Sequence, residues 1–159
     1  CSSDLAADDA RQCCEEVLRP ACFREALAEM AAHRAAGRRV VLVSGGVDLV
    51  LAPLAESLGA ELLAQRLVGE GDRLTGGYQT YEVLGDQAGD MRQAASKAAA
   101  LARYAETTGI DLHASCAYGD SINDVPMLEL VGTPIVVRPG RRLARIARAR
   151  GWQVRRWGD

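Results

Sequence analysis

Short apolar runs alternate with amphipathic stretches along this chain. Val40-Val41-Leu42-Val43, residues 60–65, His113 to Tyr118 and Ile135-Val136-Val137 read as strands. An unbroken apolar run such as the first suits a strand covered on both faces. Between them the pattern predicts helices over 7–18, 21–36, Asp48 to Leu58, Lys97 to Thr108, from Asp124 onward, and over 141–150. The second carries Phe23, Leu27, Met30 and Ala31 close to helical spacing and stops at Gly37. Arg19-Pro20 breaks the first, and Pro53 marks a kink or restart in the third. Ser96 is the expected cap of the fourth, Gly109 its stop, and Pro126 sits in the first turn of the fifth. Residues 66–90 differ. Gly69-Glu70-Gly71-Asp72 and Thr75-Gly76-Gly77 are turn chemistry around short β pieces such as Tyr78 to Val83, which predicts a hairpin-bearing insert. Gly151-Trp152 leads to a short terminal strand. The order is that of an α/β fold: a parallel sheet with helices on both faces.

Composition narrows the function classes. A hydrophobic content of 48% supports a core, and with aromatics at 4% that core is made of Ala, Leu and Val. A net charge of −2 exerts no long-range pull on nucleic acid or anionic lipid. Nucleic acid is not an expected partner. No apolar run approaches the roughly 20 residues of a membrane span. The cysteines Cys1, Cys13, Cys14, Cys22 and Cys116 are odd in number and form no C-x-x-C, and His33 and His113 stand at no ligand spacing to them. They read as reduced thiols of a cytoplasmic protein, with Cys116 a small core residue. The chain starts at Cys1 without Met, as a truncated chain or a mature lipoprotein would; truncation is the expectation.

The chemistry concentrates in three places at or beside the carboxyl ends of expected strands, where open α/β sheets hold their ligands. Gly119-Asp120-Ser121-Ile122-Asn123-Asp124 sets two carboxylates four residues apart where a strand gives way to a helix. Mg²⁺ takes oxygen ligands of this kind, together with phosphate oxygens. N-capping by Asn123 or Asp124 is the alternative use, and it accounts for at most one of the carboxylates. Ser44-Gly45-Gly46 offers a hydroxyl and approachable backbone N–H groups, although a strand-to-helix turn also uses Ser and Gly for steric reasons alone. Lys97 is the sole lysine among 19 basic residues. At the start of a helix its charge opposes the helix dipole, which an anion nearby would relieve. Together these pieces fit phosphoryl transfer, which asks the protein mainly to position the group and neutralise its charge.

With those residues in view, the sequence resembles the haloacid dehalogenase superfamily of phosphatases, closest to the phosphoserine-phosphatase-like subfamily IB hydrolases, over about residues 20–157. Val40 to Gly46 is similar to motif II, Lys97 to motif III, and Gly119 to Asp124 to motif IV. Arg138-Pro139-Gly140-Arg141-Arg142-Leu143, leading to Arg150-Gly151-Trp152, is similar to the tail of the IB hydrolases. The resemblance implies a Rossmann-like core over 37–159 and the remnant of a helical cap over 1–36. It implies a Mg²⁺-dependent phosphatase of small phosphorylated substrates. Ser44, Gly45, Lys97 and Asn123 would bind the phosphate, Lys97 would stabilise the nucleophile, Asp120 would be a metal ligand, and Asp124 would be a metal ligand or a carboxylate just behind one.

The family's motif I, D-x-D-x-T after the first strand, supplies the nucleophilic and acid/base aspartates, and the chain contains no D-x-D. The expectation is that motif I lies upstream of Cys1. Its strand, central in the family, would then be missing between Val40–Val43 and His113–Tyr118, and the chain alone would be marginally stable and inactive. A non-catalytic module that binds phosphorylated ligands or a protein partner is the other reading, and a phosphotransferase a third. Arg138, Arg141, Arg142, Arg145 and Arg148 recur at helical spacing opposite Leu143, Ile146 and Ala147. They read as a solvated face, or less simply as a nucleic-acid or phospholipid contact. Trp152 and Trp157 read as packing residues.

Overall fold

The computed structural model describes residues 3–70, 73–79 and 93–158. The chain divides into two compact units, Cys1–Gly85 and Asp86–Asp159. Each is an α/β arrangement.

The first unit begins with helix α1 (Ser3–Cys13), which runs on through a π-helical turn, Cys14–Leu18. It ends at Arg19-Pro20 as the sequence requires. Ala10 and Cys14 are its buried members. Helix α2 (Arg24–Ala35) is shorter than the expected 21–36, because Phe23 stands outside it as an extended N-cap. The expected apolar stripe is only half covered: α2 buries no residue, and Ala31 is exposed.

Strand β1 (Val41–Val47) feeds helix α3 (Asp48–Leu58), and strand β2 (Glu61–Glu70) lies parallel to β1. Val41, Leu42 and Val43 face Glu61, Leu62 and Leu63 in simple register, but the next partners are Val47 and Gln65. The chain from Val43 to Val47 therefore carries more residues than the β2 segment opposite it. Ser44-Gly45-Gly46 is the resulting bulge within β1, not a loop after it. Bulges of this kind re-aim side chains at sheet rims. Gly59 closes α3 in the left-handed conformation at φ +60°. Arg34 donates from Nη1 to the Leu58 carbonyl at 2.9 Å, and a Cβ on Gly59 would come within 2.5 Å of that guanidinium. The positive φ calls for glycine here, whereas the flexible tip of Arg34 can swing aside.

The insert is a hairpin, with β3 (Arg73–Gln79) antiparallel to β2. Thr75-Gly76-Gly77 belongs to β3 and is not a turn. The Thr75 hydroxyl donates to the Val68 carbonyl at 2.9 Å and so ties the two strands together. The expected strand piece from Tyr78 to Val83 overlaps β3 only at Tyr78 and Gln79; residues 80–83 lie outside the described residues.

The second unit begins with helix α4 (Gln93–Thr108), closed by Gly109 at φ +72°. It starts before Ser96, so Ser96 is a helical residue and not the cap, and Lys97 lies beyond the first turn. Strand β4 (Cys116–Gly119) is shorter than His113–Tyr118. Asp111 explains the difference, since its Oδ1 accepts the N–H groups of His113 at 2.8 Å and Ala114 at 3.3 Å and holds them in a turn. A 3₁₀ turn, Ile122–Asp124, leads into α5 (Val125–Leu128), with Pro126 in its opening turn. Strand β5 (Thr133–Val137), helix α6 (Arg141–Arg150) and strand β6 (Gln153–Arg155) complete the unit. Strands β4, β5 and β6 form a wholly parallel sheet.

The described strands thus make two three-stranded sheets, β1-β2-β3 and β4-β5-β6. Among the described residues β1 and β4 have no common neighbour. The core of the second unit is Leu128, Val136, Leu143 and Ala147, with Ala117, Val125 and Trp152 packed against it. Leu143 and Ala147 lie a helical turn apart, which turns Arg141, Arg142, Arg145 and Arg148 out to solvent. Leu128 is fully buried. Leu128→Ala is expected to remove about 3 kcal/mol from the stability of this unit, read by urea unfolding of the purified chain.

Candidate active site

The site residues fall in the two units. Ser44, Gly45 and Gly46 belong to the first, and Lys97, Asp120, Asn123 and Asp124 to the second.

In the first unit the Ser44 hydroxyl accepts the Gly46 N–H at 3.1 Å, which shapes the bulge. A Cβ on Gly46 would meet Leu51 at 3.1 Å and the Ser44 hydroxyl at 3.4 Å, so a side chain here would crowd both. Asp48 is a residue that sequence reasoning passed over. Its Oδ1 accepts the N–H of Leu49 at 2.7 Å and that of Leu67 at 3.1 Å. One carboxylate oxygen thereby joins the start of α3 to β2, downstream of the serine. An acid in the first turn of a helix was the available signal.

In the second unit β4 delivers the chain to Gly119, and the next residues fold back over it. Ser121 is the N-cap of the 3₁₀ turn, where its hydroxyl accepts the Asn123 N–H at 3.2 Å. Asp124 completes a capping box: its Oδ2 accepts the N–H groups of Ser121 at 3.0 Å and Asp120 at 3.2 Å. Its other oxygen, Oδ1, accepts from Lys97 Nζ at 2.8 Å. The Asp124 side chain is 6% exposed and that of Lys97 18%. A carboxylate so deeply buried requires compensation, and it has two backbone donors and an ammonium. The pairing also supplies the solitary lysine with an anion nearby, as its sequence position called for, although that anion is Asp124.

Glycine is required before this loop for a steric reason. A Cβ on Gly119 would lie 2.7 Å from Asp124 Cβ and 3.2 Å from its Oδ2. Ser121 was passed over by sequence reasoning, although Ser-x-x-Asp before an apolar helix is a readable capping pattern. Asp120 and Asn123 are exposed. The Asp120 carboxylate engages no donor among the described residues, whereas both oxygens of Asp124 are engaged. No group of three or more His, Cys, Asp or Glu able to hold a metal occurs among the described residues. The donor set there is one open carboxylate beside one already committed. That fits Mg²⁺, which keeps several waters and takes its remaining ligands from phosphate oxygens.

Residues 2–129 match the sequence model of the haloacid dehalogenase-like hydrolases. A protein of Mycobacterium tuberculosis (strain ATCC 25618 / H37Rv) named as a probable phosphatase is 38% identical over 140 residues, which cover 87% of this chain and 45% of that protein. Among solved structures, a protein of unknown function from Bordetella pertussis Tohama I superimposes with a TM-score of 0.81 at 31% identity, over 97% of this chain and 67% of that one. A substrate-bound phosphoserine phosphatase superimposes with a TM-score of 0.58 at 29% identity, over 76% of this chain and 53% of that one. The chain belongs to the haloacid dehalogenase-like hydrolase family. It spans about half the length of the curated relatives it matches.

Removing one partner of a buried, hydrogen-bonded ion pair leaves the other charge stranded. Asp124→Ala is therefore expected to destabilise the second unit by about 3 kcal/mol, with Asp120→Ala within about 0.5 kcal/mol of wild type, both measured by urea unfolding. Equal losses for the two would contradict the division of labour between these carboxylates. Gly119→Ala forces Asp124 aside, and a loss of about 1–3 kcal/mol in the same assay is expected.

Proposed function

We propose that the intact protein is a Mg²⁺-dependent phosphomonoester phosphatase that works through an aspartyl-phosphate. The observation that carries this reading is the Lys97–Asp124 pair at 2.8 Å, with the open carboxylate of Asp120 four residues upstream of Asp124. An ammonium anchored by a buried carboxylate is a fixed positive charge. Fixed charge aimed at phosphoryl oxygens is what such a reaction asks of the protein.

In this reading Lys97 neutralises charge on the phosphoryl group and on the attacking carboxylate, and Asp124 holds the ammonium in place. Asp120 would bind Mg²⁺, which supplies electrostatic stabilisation of the phosphoryl oxygens. The committed oxygens of Asp124 make it a positioning residue before a metal ligand. The Ser44 hydroxyl and the Gly45 backbone would bind phosphoryl oxygens from the β1 bulge, and the exposed amide of Asn123 is available for the same purpose. The nucleophile would be an aspartate on a strand that this chain does not contain, since no D-x-D occurs in it. Residues 1–36 would then be part of a helical cap and 37–159 the core with its hairpin insert. The substrate would be a small phosphomonoester, and the cysteine usage supports a cytoplasmic location. No described helix is long and apolar enough to cross a membrane.

A non-catalytic phosphate-binding relative is the competing reading, favoured only by the missing D-x-D. Assay of p-nitrophenyl phosphate hydrolysis with Mg²⁺ separates the two. The 159-residue chain should show no turnover. A longer protein that includes an upstream D-x-D-x-T strand should turn over and lose activity with EDTA. Within it, Lys97→Ala and Asp120→Asn should each lower kcat by about 10²–10³-fold. Turnover by the chain alone would overturn the assignment of the nucleophile, and an inactive longer protein would favour the binding module.

A further inference from the structure

A cavity of about 950 Å³ opens in the second unit beside α6, and none of the site residues assigned above lines it. Arg138, Arg148, Arg155 and Arg156 line it, together with Trp152 and Val154, and no acidic residue among the described ones does. The arginines arrive from separate places: Arg138 from the β5–α6 connection, Arg148 from α6, Arg155 from β6 and Arg156 from just beyond it. Arg148, Arg155 and Arg156 form no ion pair or side-chain hydrogen bond among the described residues. The contrast with Arg150 on the same helix is direct, since that residue pairs with Glu129 and lies 5.0 Å from the centre of the Trp152 ring.

Backbone geometry holds the cluster together. Arg138 has φ +43°, the sole positive φ at a non-glycine among the described residues. Its N–H donates to the Arg155 carbonyl at 3.0 Å, which fixes the two arginines' main chains side by side. Strain of this kind collects where a site must be shaped. Val154 remains 47% exposed although it is apolar, and so offers an apolar wall beside the charges. Guanidinium groups gathered round one concavity repel each other until an anion enters. Their fork geometry matches phosphate oxygens in pairs. The volume is that of a small-ligand site and not of a polymer track, and the chain's net charge of −2 does not attract polyanions from a distance.

We propose that this cavity binds an organic phosphate, its phosphate on the arginines and its apolar portion against Trp152 and Val154. The phosphate can belong to a soluble ester or to a phospholipid headgroup. Titration calorimetry with hexyl phosphate and with inorganic phosphate tests the first source, and flotation with phosphatidylcholine vesicles, with and without phosphatidic acid, tests the second. Hexyl phosphate should bind about tenfold more tightly than inorganic phosphate, because its chain is buried. The double variant Arg148→Gln/Arg155→Gln should weaken binding at least about tenfold, and Val154→Asp should do the same by repulsion. All three positions are exposed, so the fold should persist, with circular dichroism as the check. Asp120→Asn should leave this binding unchanged, which separates the cavity from the proposed phosphatase site. Binding in solution only, or on phosphatidic-acid vesicles only, assigns the source. Binding that ignores the arginine and Val154 variants, binding abolished by Asp120→Asn, or none to either probe overturns the proposal.

Discussion

The carboxylate of Asp124 is the constraint on which the second unit's loop depends. One side chain satisfies the backbone of Asp120 and Ser121, ends the strand-to-helix crossing in a defined shape, and anchors the ammonium of Lys97. All three contacts meet on one buried side chain, so loss of one is felt by the others. The glycine before the loop follows from the same constraint: Gly119 lacks a side chain because Asp124 needs the space. The residues between them, Asp120 and Asn123, are left exposed.

Much of this was legible in the sequence because strong local signals agreed. The helix over Asp48–Leu58, its glycine stop, the β5 run and the arginine-faced α6 all appear where periodicity and stop signals put them. The misreadings share a physical cause, in that short-range chemistry overrode composition. Asp111 held residues 113 and 114 out of a strand by accepting their N–H groups. Thr75-Gly76-Gly77 looked like a turn, yet Thr75 bonds across to Val68 and the segment pairs as a strand. Ser44-Gly45-Gly46 looked like a loop and proved to be a bulge, a distinction that rests on ladder register and is invisible without the partner strand. Of the candidate site, the spacing of Asp120 and Asp124 was readable. That one of them serves Lys97 was not, because the partner is 27 residues away in the sequence.

Two carboxylates play the same structural part, one in each unit. Asp48 joins the start of α3 to β2, and Asp124 joins α4 to the turn after β4. In both cases a single oxygen or a single side chain fixes a helix to the chain beside a strand end. A rigid anchor of this kind lets the adjoining loop vary without loosening its frame.

The sheet order has a practical meaning for anyone who handles the polypeptide. Strands β1 and β4 are each hydrogen-bonded on one side only among the described residues, and both are short and apolar. An unpaired row of N–H and C=O groups is where another strand can add to a sheet, so each unit has a place at which its sheet can be extended.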